Sequence, residues 1–151
     1  MDSNESQIAA FLAKYTPAIE TQLRDARTRL RAAFPRGYEL VFDNYNALVF
    51  GISASERSRE SFISIAGYPQ WVTLFFLRGV DLHDPEGLLE GSGVQVRGVR
   101  LKSAADLGLP AVRALIAQAA AAQADALKSA PPLTTIVKPP SAKQRSRRPS
   151  S

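Results

Sequence analysis

Residues Tyr38–Leu77 read YELVFDNYNALVFGISASERSRESFISIAGYPQWVTLFFL. Apolar and aromatic residues fall in short runs here, and turn formers separate the runs. Tyr38–Phe42 predicts a strand, Asp43-Asn44-Tyr45-Asn46 a turn and Ala47–Ile52 a second strand. Ser53–Arg59 is a polar loop, and Ser61–Ala66 predicts a third strand. Gly67-Tyr68-Pro69-Gln70 is a turn before a fourth strand, Trp71–Leu77. Each connection is short enough for an antiparallel hairpin. A fifth strand, Val94–Leu101, follows a long loop.

Helical patterns flank this block. Ile19, Leu23, Ala26, Leu30 and Ala33 recur at steps of three and four, which makes one apolar stripe. Thr16-Pro17 suits the start of that helix, and Pro35 with Gly37 stops it after Phe34. A shorter helix precedes it, ending near Tyr15. Glu20 with Arg24 and Asp25 with Arg29 place acid before base at i,i+4, the favourable order. After the strands, Pro110 starts a helix that Val112, Leu115, Ile116, Ala119 and Leu127 carry to about Lys128. Its alanine run, Ala119–Ala122, favours helix but packs little. The expected fold is α+β: an antiparallel sheet of about five strands, with the N- and C-terminal helices packed on one face.

The charge is unevenly placed. Residues 1–128 carry 14 Lys and Arg against 14 Asp and Glu, so that part is neutral. Lys138, Lys143, Arg145, Arg147 and Arg148 supply the whole net charge of +5. The expected organisation is one domain over residues 1–128 and a disordered basic Pro/Ser-rich tail over 129–151, with Pro131-Pro132 ending ordered structure. There is no cysteine, which excludes disulfides, thiolate metal sites and a thiol nucleophile. The polar start MDSNESQIAA lacks the pattern of a signal peptide, and no run approaches the ~20 apolar residues of a membrane span. A cytoplasmic protein with no membrane contact is expected.

The stretch WVTLFFLRGVDLHDPEGLLEGSGVQVRGVRL, Trp71–Leu101, carries a family resemblance. Phe75-Phe76-Leu77, Gly79, Leu82, Asp84-Pro85, Gly87-Leu88-Leu89-Glu90-Gly91, Gly93, Val96-Arg97 and Val99-Arg100-Leu101 resemble the core of the YdhG-like family, small bacterial proteins of mostly unknown function. Tyr38–Asn46 and Tyr68–Val72 look like one subgroup of it. The resemblance covers about residues 8–128. It implies an α-β sandwich similar to frataxin and, for some members, an iron-chaperone role. Iron would then be the cofactor, and Glu39, Asp43, Asp81 and Asp84 its oxygen ligands. The long helix departs from an acidic iron-binding surface, because Arg24, Arg27, Arg29 and Arg31 outnumber Glu20 and Asp25.

Candidate sites each admit two readings. Asp81, His83 and Asp84 form a metal-ligating set, or ordinary turn chemistry in which Asp84 opens a turn that Gly87 closes. Gly91-Ser92-Gly93 with Arg97 and Arg100 could cradle an anion. Strand alternation sends Arg97 and Arg100 to opposite faces, so one pocket can use only one of them. Tyr45, Tyr68 and Trp71 stand at or beside turns, as core if buried and as a binding surface if exposed. Ser53, Ser55, Ser58, Ser61, Ser64 and Ser92 are available hydroxyls, but the chain has one histidine and no nucleophile-elbow pattern, so no catalytic residue is assigned.

The leading expectation is a noncatalytic small-ligand or protein binding module of the YdhG-like type, without a cofactor. Its ligand would meet Tyr45, Trp71, Ser92 and Arg97 or Arg100. A frataxin-like iron carrier is the alternative from another class. A third reading is weak nucleic-acid binding through the basic tail residues.

Overall fold

The computed structural model describes residues 3–57, 59 and 61–149. Two helices open the chain, α1 (Asn4–Leu12) and α2 (Pro17–Ala33). Ser3 caps α1 by accepting the Ser6 N–H at 3.1 Å. Pro17 starts α2 after an extended Thr16, and Leu23, Ala26 and Leu30 form its buried stripe. The i,i+4 pairs Glu20–Arg24 and Asp25–Arg29 form at 2.9 and 3.6 Å.

A four-stranded meander follows: β1 (Tyr38–Asp43), β2 (Leu48–Ser53), β3 (Ile63–Gly67) and β4 (Val72–Phe76). β5 is Arg97–Leu101, shorter than expected because residues 94–96 remain in the loop before it. The C-terminal helix breaks at Gln123 into α3 (Pro110–Ala122) and α4 (Ala124–Lys128). β6 (Thr134–Val137) completes the sheet, whose order is β5-β4-β3-β2-β1-β6. All neighbours are antiparallel except β6, which lies parallel to β1.

Register assigns the two faces. Val41, Phe50, Ile65, Leu74 and Val99 stand opposite one another across β1 to β5. They join Leu23, Leu30, Val112 and Leu115 of the helices in one buried cluster, so the helices pack on this face. The opposite face carries Phe42, Val49, Ala66, Thr73 and Arg100 in one row and Leu40, Gly51, Ser64, Phe75 and Gly98 in the next. The outcome is α+β with a mostly antiparallel sheet, but with six strands. No helix among the described residues is long and apolar enough to cross a membrane.

Tyr15 links the helical layer to the sheet. It is buried, its hydroxyl donates to the Gly67 carbonyl at 2.6 Å and it accepts the Leu48 N–H at 3.1 Å. Burial pushes its phenol up to about 12. Tyr15→Phe removes both bonds and leaves two buried backbone groups unpaired. Chemical denaturation should show a loss of about 1–3 kcal/mol, while a loss below about 0.5 kcal/mol would mean that water reaches these groups.

The segment expected to be a disordered tail carries the strand β6 and hydrogen bonds to the rest of the protein that run on to Arg148. Gly37 N–H donates to Pro131 O and Leu133 N–H to Pro35 O, which brings the chain to the β1 edge. The β-branched run Thr134-Thr135-Ile136-Val137 then pairs with Tyr38–Val41. Beyond β6, Lys138, Ser141 and Arg145 donate backbone N–H groups to Val41, Asp43 and Tyr45. The physical reason is the open β1 edge, a row of unpaired backbone groups that the strand satisfies. Pro131-Pro132 ends the helical region without ending order.

Candidate functional site

The β3–β4 turn positions the aromatic residues. Tyr68 N–H donates to Trp71 O at 2.8 Å, closing the hairpin. The two rings stack with centroids 5.3 Å apart and planes 26° apart. Burial pushes the Tyr68 phenol above its ordinary range. On the neighbouring strand, the register Thr73↔Arg100 places Arg100 on the open face beside them. Its guanidinium carbon lies 4.2 Å from the Trp71 ring centroid, a cation–π distance. Arg100 donates to no side chain or carbonyl among the described residues. Its guanidinium therefore rests over the ring while its N–H groups stay unbonded by protein.

These residues line a concavity of about 390 Å³ with Thr73, Phe75, Glu90, Gly91 and Gly98. Gly98 is required there: a Cβ would lie 2.9 Å from the Phe75 ring. The long loop supplies the rim. Asp84 accepts the Leu88 and Leu89 N–H groups, each at 2.9 Å, and Gly87 takes φ +65° to close that turn. Leu88 and Leu89 pack on the core, and Glu90 bridges to Gly98 through two backbone bonds. The turn reading of this loop thus accounts for Asp84 and Gly87.

The C-terminal strap builds a second concavity across the Tyr68–Trp71 turn. Asn46, Tyr68, Trp71, Arg145, Ser146 and Arg148 are among its lining residues, and its volume is about 680 Å³. Arg145 lies over the Tyr45 ring at 5.5 Å. Arg147 anchors this strap. It is buried, its Nη2 donates to Asp43 Oδ1 at 2.9 Å and to Asn44 O, and its Nη1 donates to Tyr45 O at 3.0 Å. Lys14 donates to the other Asp43 oxygen, and Gln144 to the Asp43 carbonyl. Burial opposes ionisation of Asp43, but the bonds from Lys14, Arg147 and Gln144 prevail and hold its carboxyl below the usual range.

Of the expected ligand residues, Trp71 and Arg100 come together. Tyr45 is 48% exposed and joins them only through Arg145, which lines the same concavity as Trp71. Arg97 belongs to the helix-side row, opposite Phe76, and donates to the Gly93 and Val96 carbonyls. The separation of the two arginines by strand alternation holds. Ser92 is exposed in the loop. Ser58 lies outside the described residues. Among the tail cations, Lys138 donates to the Glu56 carbonyl, Arg148 Nε to the Lys14 carbonyl, and Lys143 is exposed. Sequence reasoning missed the stacking of Tyr68 on Trp71 and the strap as a wall. The period-2 face assignment of Arg100 was the usable signal.

The four carboxylates named for iron are not gathered. Glu39 is bound by Arg27 at 2.8 Å, by Arg31 and by Thr135. Asp43 is held as described, Asp81 pairs with Arg78 at 2.8 Å and Asp84 caps its turn. His83 lies exposed, its backbone held by the Gln118 amide. No group of three or more His, Asp or Glu side chains converges among the described residues. A further cavity of about 340 Å³ lies beside α3 and α4, where Ala119, Ala122 and Ala126 leave space against Phe62 and Phe76. Asp81 is the only expected site residue there.

Compared with known proteins, the sequence matches no family model, no curated protein and no solved structure.

Proposed function

We propose that the chain is a noncatalytic binding module whose ligand is a flat molecule carrying an anionic group. The observation that carries this reading is Arg100. An arginine stacked on Trp71 with its N–H edge unbonded, at the wall of a concavity, is poised for a carboxylate or phosphate. The adjoining Tyr68, Trp71 and Phe75 rings suit a flat, apolar body. Within this reading, the YdhG-like loop serves as a rim that carries Glu90 and Gly91 to the ligand.

Trp71 is the only tryptophan, so its fluorescence reports on the site directly. Uridine monophosphate, which combines a flat ring with a dianion, should change that signal saturably. Charge-assisted hydrogen bonds contribute about 1.5–3 kcal/mol, so Arg100→Ala should weaken binding roughly 10- to 150-fold. Arg97→Ala should leave it unchanged, because Arg97 faces the other side. A flat titration to about 10 mM, or equal affinity for Arg100→Ala, would sink the proposal.

A further inference from the structure

The Arg100 concavity is not isolated. The Tyr68–Trp71 turn stands between it and the strap-lined concavity, and both rings line both. A third hollow of about 280 Å³ continues along the open face over Val49, Ser64 and Ala66, and Tyr68 and Phe75 line it too. The open side of β3, β4 and β5 is therefore one groove with an aromatic ridge at its centre.

Cations stand on both sides of that ridge. Arg100 is on one side, stacked on Trp71. Arg145 is on the other, over the Tyr45 ring at 5.5 Å, and its guanidinium donates to no described group. Arg148 shares that concavity, and its guanidinium bonds through Nε alone, to the Lys14 carbonyl. Glu90 is the one carboxylate among the residues lining the three hollows. A compact ligand with one anionic group needs only one of these cations. A chain with anions at intervals and flat rings between them uses both sides and the ridge.

We infer that the groove binds single-stranded nucleic acid, with phosphates on Arg100 and on Arg145 and Arg148, and a base against the Tyr68–Trp71 ridge. This deepens the anion reading of Arg100 and rests on it. Aromatic rings between arginines are the general means by which proteins hold single strands without reading sequence. The strap thereby contributes through a built wall, with Arg147 as its buried anchor and Arg145 and Arg148 as its phosphate contacts. Free tail charge is not what binds.

The test is fluorescence anisotropy with labelled oligouridylate of about ten nucleotides, beside the uridine monophosphate titration. The oligonucleotide should bind more tightly than the mononucleotide. Its affinity should fall with salt by a log–log slope of about −0.7 per phosphate contacted. Arg145→Ala should flatten that slope by one phosphate's share and leave mononucleotide binding intact. Glu90→Gln should tighten oligonucleotide binding. Oligonucleotide affinity no better than that of the mononucleotide overturns the inference while the Arg100 reading stands. Absence of binding by both overturns both. Oligonucleotide binding that survives Arg100→Ala with Arg145→Ala, in protein shown folded by circular dichroism, also overturns it. So does an oligoglutamate peptide that binds as tightly, since the rings would then contribute nothing.

Discussion

Asp43→Ala should destabilise the protein by about 3–5 kcal/mol. The side chains of Asp43 and Arg147 are each 1% exposed and meet at 2.9 Å. Alanine would leave the Arg147 guanidinium buried with three backbone carbonyls and no counter-charge. Its Nε already lacks a described partner, so nothing nearby compensates. Lys14 would be affected less, because it is 39% exposed and can turn to solvent. The same pair sets a pH dependence. The folded-state value of Asp43 is depressed, so its contribution is fully present above the unfolded value of about 3.9. It is lost as pH falls through the lower folded value. Urea melts of wild type and Asp43→Asn should therefore differ most at neutral pH and converge in acid. A difference under about 1 kcal/mol at pH 7 would show that the pair is solvated like a surface bridge.

The parts of the fold that were legible share a physical cause. β1 to β4 are consecutive, so each is marked by its own apolar run and by turn formers at its ends. Asn44, Asn46 and the Tyr68-Pro69-Gln70 turn sit between partners that are adjacent in the chain. β6 has no such mark. Its partner β1 lies some hundred residues earlier, and a parallel pairing leaves no hairpin turn to read. Its four β-branched residues are the only local signal, and Pro131-Pro132 and Pro139-Pro140 bracket them like a linker. Arg147 was hidden for a different reason. A basic residue in a run of Ser, Lys and Arg resembles a solvated charge until Asp43 is brought beside it in space.

The candidate site divides the same way. That Arg97 and Arg100 face apart follows from a period of two, and the register agrees. That Arg100 meets Trp71 depends on how β5 slides along β4, a shift of one residue being enough to reverse the face. No local pattern sets that slide. Glu39 and Asp43 entered as iron oxygens only through the family resemblance, which places acid on a first strand. Their cations come from the turn between α1 and α2, from α2 and from the strap, and only packing puts those together.

Removing residues 131–151 should have the largest effect of all. The deletion strips the β1 edge of its parallel partner and takes away Arg147 and Gln144, leaving Asp43 with Lys14 alone. Glu39 loses the Thr135 hydroxyl, and α1 loses the bond from the Asn4 amide to the Thr135 carbonyl. Breaking the buried ion pair alone costs about 3–5 kcal/mol, and the strand pairing and the packing of Val137 add to it. A disordered tail would behave oppositely, since surface changes away from buried features stay within about ±0.5 kcal/mol. Thermal melting separates the two cases, and an unchanged midpoint would refute the folded strap. A synthetic peptide spanning residues 131–149, added in trans, supplies the second readout. If the truncated chain retains its sheet, the peptide should raise the midpoint with concentration, as any ligand that binds only the folded state does. If the truncated chain is unfolded, the peptide should restore strand signal in circular dichroism. An Arg147→Ala peptide should do either far less well, because the anchor and not the strand alone holds the strap against Asp43.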